Sequence, residues 1–405
     1  MGIIMFKPLK GIKVIDLTSV LAGPYCTYQL SLLGAEIIKI ENIFNGDWTR
    51  IGGKDDDLNN QSMGSLYLVQ NSNKKSIQIN LKTDKGKEIV YKLIKSANIF
   101  VENMRPGKAE KIGLGWDHLS KLNNSLIYCS ISAFGQDGPF SRRGAYDHVV
   151  QGMSGIMSTT GTKETGPTKV GAPFIDYSTG LNAAFAITSA LLQVQKNKSP
   201  IRLDVSMLDT SFLLMANMVT EHLNSGWIPK PMGNEAQSGS PSSGLFDTKT
   251  TQILLAANND QQFSSLCDAL NTISFFDKEK WIISDYREKN KRDLRANLQK
   301  IFKLKTAEYL EILLNEYGVP AGKIRTLPEA LNEDQFKLRG LWNPIHIKSI
   351  GKNYKVPSVG FKVNCNSIKA DEAPPTLGEN SKLILKDLGF TSQEIKSLFK
   401  EQIIK

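Results

Sequence analysis

The chain has 405 residues, of which 40% are apolar and 22% charged. That is enough to bury a large core in two or three domains, and the composition is ordinary for a soluble globular enzyme. A formal net charge of +10 fits either a lysine-rich surface or a polyanionic ligand, nucleic acid or a multiply phosphorylated cofactor; without a dense Lys/Arg stripe interleaved with aromatics, or a zinc or helix-turn-helix signature, nucleic acid is disfavoured.

At the N-terminus the apolar start from Gly2 to Phe6 is too short for a signal-peptide core. Phe6 stands where a myristoylation start wants Ser or Thr. No apolar run approaches ~20 residues, so no membrane span is expected. Cys26, Cys129, Cys267 and Cys365 are far apart and form no C-x-x-C. That pattern predicts reduced thiols and a cytoplasmic location.

From Gly11 to Arg50 the chain reads strand, tight turn, helix, strand. Lys13–Leu17 is a short apolar strand. Pro24 suits the first turn of a helix that should stop at Gly34, a left-handed C-cap. Ala35–Ile40 is a second buried strand ending at Glu41. Such a unit usually opens a doubly wound sheet, whose ligands sit beyond the carboxyl ends of the strands. The turn Thr18–Gly23 lacks G-x-G-x-x-G, so Glu41 alone does not make a nicotinamide site. Residues 44–64 form a polar loop that is either a surface excursion or a lid. Asn71–Lys75 is a turn delivering two cations into a strand at Ser76–Leu81. Helix from Thr83, strand Asn98–Val101, helices near 108–112 and 116–122, and strand Leu126–Ile131 continue the alternation, which predicts a parallel sheet.

Beyond a glycine-rich stretch, 135–171, the pattern predicts a helix from about Asp147, an apolar helix over Thr179–Val194, a strand at Arg202–Ser206 and one helix over Leu208–Leu223. Residues 224–243 are dense in Gly, Pro and Ser and mark a domain boundary. A smaller α/β segment follows. Pro374-Pro375 precedes a closing helix pair at 380–388 and 392–399.

Standard catalytic signatures are missing. Gly161–Gly166 has P-loop spacing but lacks the Lys-Ser/Thr pair, and no G-x-S-x-G occurs. His118, His148, His222 and His346 are scattered, so no metal site is expected. Carboxylates remain, and Asp176 stands out. It lies where an apolar segment breaks into Ser178-Thr179-Gly180 ahead of a helix expected near Leu181. It reads either as an N-cap acid or as a nucleophile at a helix N-terminus, whose N–H groups would steady negative charge.

GIKVIDLTSVLAGPYCTYQLSLLGAEIIKIENIFNGDWTR, NSNKKSIQINLK, ENMRPGKAEKIGL, ISAFGQDGP, AYD, FIDYSTG and the C-terminal PPTLGENSKLILKDLGFTSQEIKSLF occur in this order. Together they resemble the class III coenzyme A transferases, the superfamily of formyl-CoA and carnitine CoA-transferases and acyl-CoA racemases. The resemblance implies a Rossmann-like large domain with a parallel sheet, built from residues 1–223 and 336–405, and a smaller α/β domain over 224–335. It also implies an interlocked homodimer, coenzyme A as co-substrate with no permanently bound cofactor, and a small carboxylic acid as second substrate. Asp176 matches the catalytic aspartate, which carries aspartyl anhydride and aspartyl–CoA thioester intermediates. Val20, Leu21, Ala22, Lys74, Lys75, Asn103, Met104, Arg105 and Lys111 match CoA-contacting stretches.

Departures from the family pattern bear on specificity. Leu21 stands where formyl-transferring members have Gln, and Asn42 follows Glu41 where the family pattern has an Arg for CoA. Ser238–Gly244 replaces a tetraglycine flap, so Gly239 and Ser240, with Tyr146, are expected to line a pocket for a larger polar acid. The alternative within the superfamily is a 2-methylacyl-CoA racemase. Its His–Asp pair would need a His where Tyr146 stands, and a phenol is a poor base at neutral pH. A third reading is a non-catalytic CoA- or RNA-binding protein.

Overall fold

The computed structural model describes residues 6–236 and 238–405; the start of the apolar segment, residues 1–5, lies outside them. The described chain forms two compact units. The first comprises residues up to Ile156, Lys169–Trp227 and Leu338–Lys405; the second comprises Met157–Thr168 and Ile228–Lys337.

The first unit is built on a six-stranded sheet. Its strands are β1 (Lys13–Leu17), β2 (Glu36–Glu41), β3 (Lys74–Gln78), β4 (Ile99–Glu102), β5 (Ile127–Ser132) and β6 (Ile201–Ser206). All neighbours run parallel, in the order β3-β2-β1-β4-β5-β6. This is the order of a doubly wound dinucleotide-type sheet, and its switch point falls between β1 and β4. Side chains alternate across each strand and so feed two cores. On one face Ile15, Ile38, Ile77 and Phe100 pack with the helix Asp84–Lys95 and with Ile384, Leu385 and Leu398 of the closing helices. On the other, Val14, Ile37, Ile99 and Ile127 pack against Cys26 and Leu30 of the helix Ala22–Leu32 and Ala183 and Ile187 of the helix Phe174–Asn197. Gly34 ends the first helix with φ +100°, as its position predicts.

Several elements differ from the sequence reading. The long helix begins at Phe174, not near Leu181. Gly180 is a close-contact residue rather than a turn: a Cβ there would lie 2.7 Å from the Ala22 carbonyl oxygen and 3.2 Å from the Cys26 nitrogen. The expected single helix after β6 is two, Met207–Leu214 and Ala216–Ser225, broken at Met215. The stretch before the closing helix pair, unassigned from the sequence, also holds regular structure. An antiparallel hairpin, Trp342–Ile347 with Lys352–Pro357, comes first. Its first strand alternates exposed and buried, and Ile345, Ile347 and Val356 pack on Leu58, Met63, Tyr67 and Leu68. The loop 44–64 is largely ordered by Arg50, whose fully buried guanidinium forms a two-pronged ion pair with Glu41 (Nε–Oε1 2.8 Å, Nη2–Oε2 2.6 Å) and lies over the Tyr67 ring. Glu41 therefore has an internal partner and does not face a ribose site.

The second unit holds a three-stranded antiparallel sheet, Ser243–Asp247, Gln252–Ala256 and Ala321–Lys323. Its core joins Phe246, Ile253 and Leu255 to Phe263, Leu266, Leu298, Phe302 and Leu310 of its helices. Ser243 and Gly244 open its first strand, and Ser240 Oγ donates to the Ala257 carbonyl at 3.0 Å.

Candidate active site

A cavity of about 350 Å³ opens at the switch point of the parallel sheet. The turn after β1 (Ser19–Ala22), the segment after β4 (Asn103–Pro106), the end of β5 with the next residue (Ile131–Ala133), Arg143–Tyr146 and Asp176 line it. A crevice outside the carboxyl ends of the strands is where the fold offers backbone N–H groups and helix starts to a ligand.

The turn after β1 is held from several sides. Asp16, at 0% exposure, accepts from the Thr18 N–H (2.9 Å) and hydroxyl (2.5 Å), the Thr27 hydroxyl (2.6 Å) and the Lys74 ammonium (3.1 Å). Burial alone would raise its pKa; the Lys74 and Lys39 charges and the two hydroxyls outweigh burial and hold it at about 2. Asn103 clamps Ser19 twice, accepting its N–H at 2.9 Å and donating to its carbonyl at 2.7 Å. Val20 has φ +76°. For a β-branched residue this is a strained conformation, costing of order 1–3 kcal/mol.

Asp176 lies in the first turn of its helix, half-buried on the cavity wall. It is not the N-cap, a position held by Pro173. Nor are the helix-start N–H groups at this point open to a substrate. Those of Ile175 and Asp176 itself donate to Oδ2 of the buried Asp147, at 2.8 and 3.1 Å. Gln151 locks Asp147 in place, donating to its Oδ1 at 2.5 Å and accepting the Val170 N–H at 2.9 Å. Burial first, then the charge of Asp147, push the Asp176 carboxyl up to about 7. A carboxyl shifted this far by burial and a neighbouring carboxylate is a pattern of functional sites. Tyr25 and Tyr177 meet edge to face beside it, centroids 4.8 Å apart, and tie the two helices together.

The residues expected from sequence divide clearly. Val20, Leu21, Ala22, Asn103, Met104, Arg105, Tyr146 and Asp176 come together on the cavity wall. Lys74 does not. Its ammonium lies wholly inside the fold, donating to Asp16, to the Pro24 carbonyl at 2.9 Å and to the Thr27 hydroxyl at 2.8 Å, because a buried carboxylate at that point needs a counter-ion. Lys75, on β3, pairs with Glu36 at 2.6 Å. Lys111 is exposed on the short helix Lys108–Lys111, outside the cavity lining. Gly239 and Ser240 belong to the second unit.

Sequence reasoning passed over Arg143, Ser132 and Met207 on the wall and Asp147 beneath Asp176. Arg143 stacks on Phe140 at 4.2 Å. The Arg105 guanidinium lies against Gly144, where a Cβ would meet Nη2 at 2.9 Å, so the glycine makes room for the cation. The Ser-Arg-Arg-Gly run at 141–144 was the available signal for this cationic rim. Among the described residues no group of His, Cys, Asp and Glu could hold a metal ion, and no helix is long and apolar enough to cross a membrane.

A family model described as CoA-transferase family III matches residues 9–381. The chain belongs to that family. Among named relatives, the succinyl-CoA:glutarate CoA-transferase of Mus musculus is 36% identical over 385 residues, covering 94% of this chain and 86% of that one. The formyl-CoA:oxalate CoA-transferase of Shigella boydii is 28% identical, with 97% and 99% covered. A CAIB/BAIF family protein from Brucella suis superposes with a TM-score of 0.82 at 31% identity, covering 95% of this chain and 100% of the other. This family III CoA-transferase therefore has coenzyme A thioesters as substrates, and the cavity at the switch point is its candidate site.

Proposed function

We propose that this enzyme moves CoA from an acyl-CoA to a small dicarboxylic acid, with Asp176 as the nucleophile. The observation that carries the reading is the half-buried Asp176 carboxyl on the wall of a cavity that it shares with the turn after β1 and with Asn103, Met104 and Arg105. The acid class rests on the relatives named for succinate, glutarate, D-citramalate and oxalate.

In the proposed sequence the ionised Asp176 attacks the thioester carbonyl and expels CoA thiolate, giving an aspartyl–acyl anhydride. The thiolate then attacks the aspartyl carbonyl, releasing the donor acid and leaving an aspartyl–CoA thioester. The acceptor carboxylate attacks that thioester, forming a second anhydride and freeing the thiolate again. Attack of the thiolate on the acceptor acyl carbon gives the new thioester and restores Asp176. No step consumes water, so the bond's free energy passes to the acceptor only if water is kept away. Asp147 holds the backbone at residues 175–176, so oxyanion stabilisation falls to other donors; the N–H of Ala22, at the start of its helix and on the cavity wall, is the candidate. Arg105 and Arg143 suit the phosphates of CoA or the second carboxylate of the acid.

A panel of CoA thioesters against dicarboxylic acids tests the substrate class: transfer to glutarate or succinate is expected, and transfer only to monocarboxylic acids would contradict it. Deuterium wash-in at the α-carbon of a 2-methylacyl-CoA, without an acceptor acid, would instead favour the racemase chemistry.

A further inference from the structure

The segment linking β2 to β3 contributes two buried side chains that converge on one backbone residue, Val20. Oδ1 and Oδ2 of Asp47 accept its N–H, both at 3.3 Å. Nε2 of Gln70 donates to its carbonyl. Asp47 is itself anchored by the Lys39 ammonium at 3.2 Å and by the Thr49 N–H and hydroxyl at 3.1 and 2.8 Å. Both polar groups of the strained residue are thus gripped by side chains lying 27 and 50 positions away in sequence.

Gln70 is fully buried, yet its amide oxygen has no hydrogen-bond partner among the described residues. A buried amide with half of its bonding unmet is destabilising relative to an apolar side chain of the same shape. Filling the space alone would not require an amide here. Its one bond goes to the carbonyl of the residue at φ +76°, on the wall of the cavity. A β-branched residue persists in that region only where its surroundings over-determine it.

We propose that Gln70, acting with Asp47, is a positioning residue that locks Val20 in its left-handed conformation and so sets the wall formed by Leu21 and Ala22. Without the grip, Val20 relaxes to negative φ, the peptide planes on either side rotate, and the turn no longer presents the same surface. The proposal rests on reading this cavity as the acyl-CoA site, and it adds to that reading a residue that touches no substrate.

The test compares Gln70→Met, Val20→Gly and the double variant, with free CoA as the probe in isothermal titration calorimetry and thermal unfolding alongside. Methionine keeps the volume and removes only the amide; glycine adopts φ +76° without strain. Gln70→Met is expected to weaken CoA binding about tenfold, or about 1.4 kcal/mol, with an unchanged or higher Tm. In the Val20→Gly background the same substitution should weaken binding by less than about threefold. Equal weakening in both backgrounds, or none in the native one, overturns the proposal. If Gln70→Met alone does not fold, the double variant should, and its failure to fold also counts against the proposal. CoA binding does not require acylation of Asp176, so a failed nucleophile assignment leaves this result readable. A native protein that does not bind CoA removes both.

Discussion

Asp176 gives the site its expected pH dependence. Its folded-state pKa is raised from 3.8 to about 7 by burial and by Asp147, whereas the nucleophile must be ionised. Turnover per acyl-CoA bound should therefore rise with pH through about 7. Stability should run the other way: the folded chain holds this proton more tightly than the unfolded one, so the contribution is fully present below the unfolded value and is lost as pH rises through about 7. The Tm advantage of Asp176→Asn over the native protein should accordingly grow between about pH 4 and pH 7 and then level off; a difference that stays flat across that range would contradict the assignment. The two lysines of Asn73-Lys74-Lys75-Ser76 separate just as sharply. Lys74→Met strands Asp16 without its buried counter-ion and should cost ~3–5 kcal/mol in thermal or urea unfolding. Lys75→Met breaks only the half-exposed pair with Glu36, worth under ~1 kcal/mol, and should leave Tm nearly unchanged.

The helices Ala22–Leu32 and Phe174–Asn197 carry the turn and the nucleophile, and their approach is set at Gly180. An added Cβ there meets a backbone carbonyl at 2.7 Å, which cannot swing aside, while the exposed Gly171 has nothing within 4 Å. Gly180→Ala should lower Tm by several degrees, consistent with ~1–3 kcal/mol of overpacking, and should reduce kcat as Asp176 shifts against Ala22; Gly171→Ala should do neither. The same glycine explains what the sequence concealed. Periodicity located the strands of the six-stranded sheet to within three residues and most helices comparably, because each strand is an apolar run bounded by turns, and Gly34 ended its helix as expected. Ser178-Thr179-Gly180 carries the composition of a turn, yet it is a helix contact whose partner lies more than 150 positions earlier. Lys74 turns inward for the same kind of reason: its counter-ion on β1 is 58 residues away, and nothing local announces it. The strand Trp342–Ile347 alternates in burial, but Pro344 and the hairpin's many polar residues masked the strand signal. On the site, ordered motifs supplied Asp176 and the two loops at the switch point, whereas Asp147 and Gln70 act on backbone atoms and leave no motif.

At the scale of the molecule, the first unit exposes Leu181, Phe185 and Leu192 on its long helix, at 49, 71 and 65%, and Leu213 and Leu223 on the next two, at 66 and 75%. Large exposed apolar side chains gathered on neighbouring helices mark an interaction surface. We propose that a second copy of the chain covers this surface in a homodimer. Sedimentation velocity should then give twice the chain mass, and Phe185→Lys should shift it toward the monomer; a monomeric native protein would contradict the dimer. The central claim, that one aspartate holds the activated group in transit, has a more direct test. The enzyme is incubated with an acyl-CoA donor, quenched with hydroxylamine or borohydride and mapped by peptide mass spectrometry. An adduct is expected on Asp176 alone, with no exchange of CoA by Asp176→Ala. An unmodified Asp176, or an alanine variant that still exchanges CoA, would contradict it.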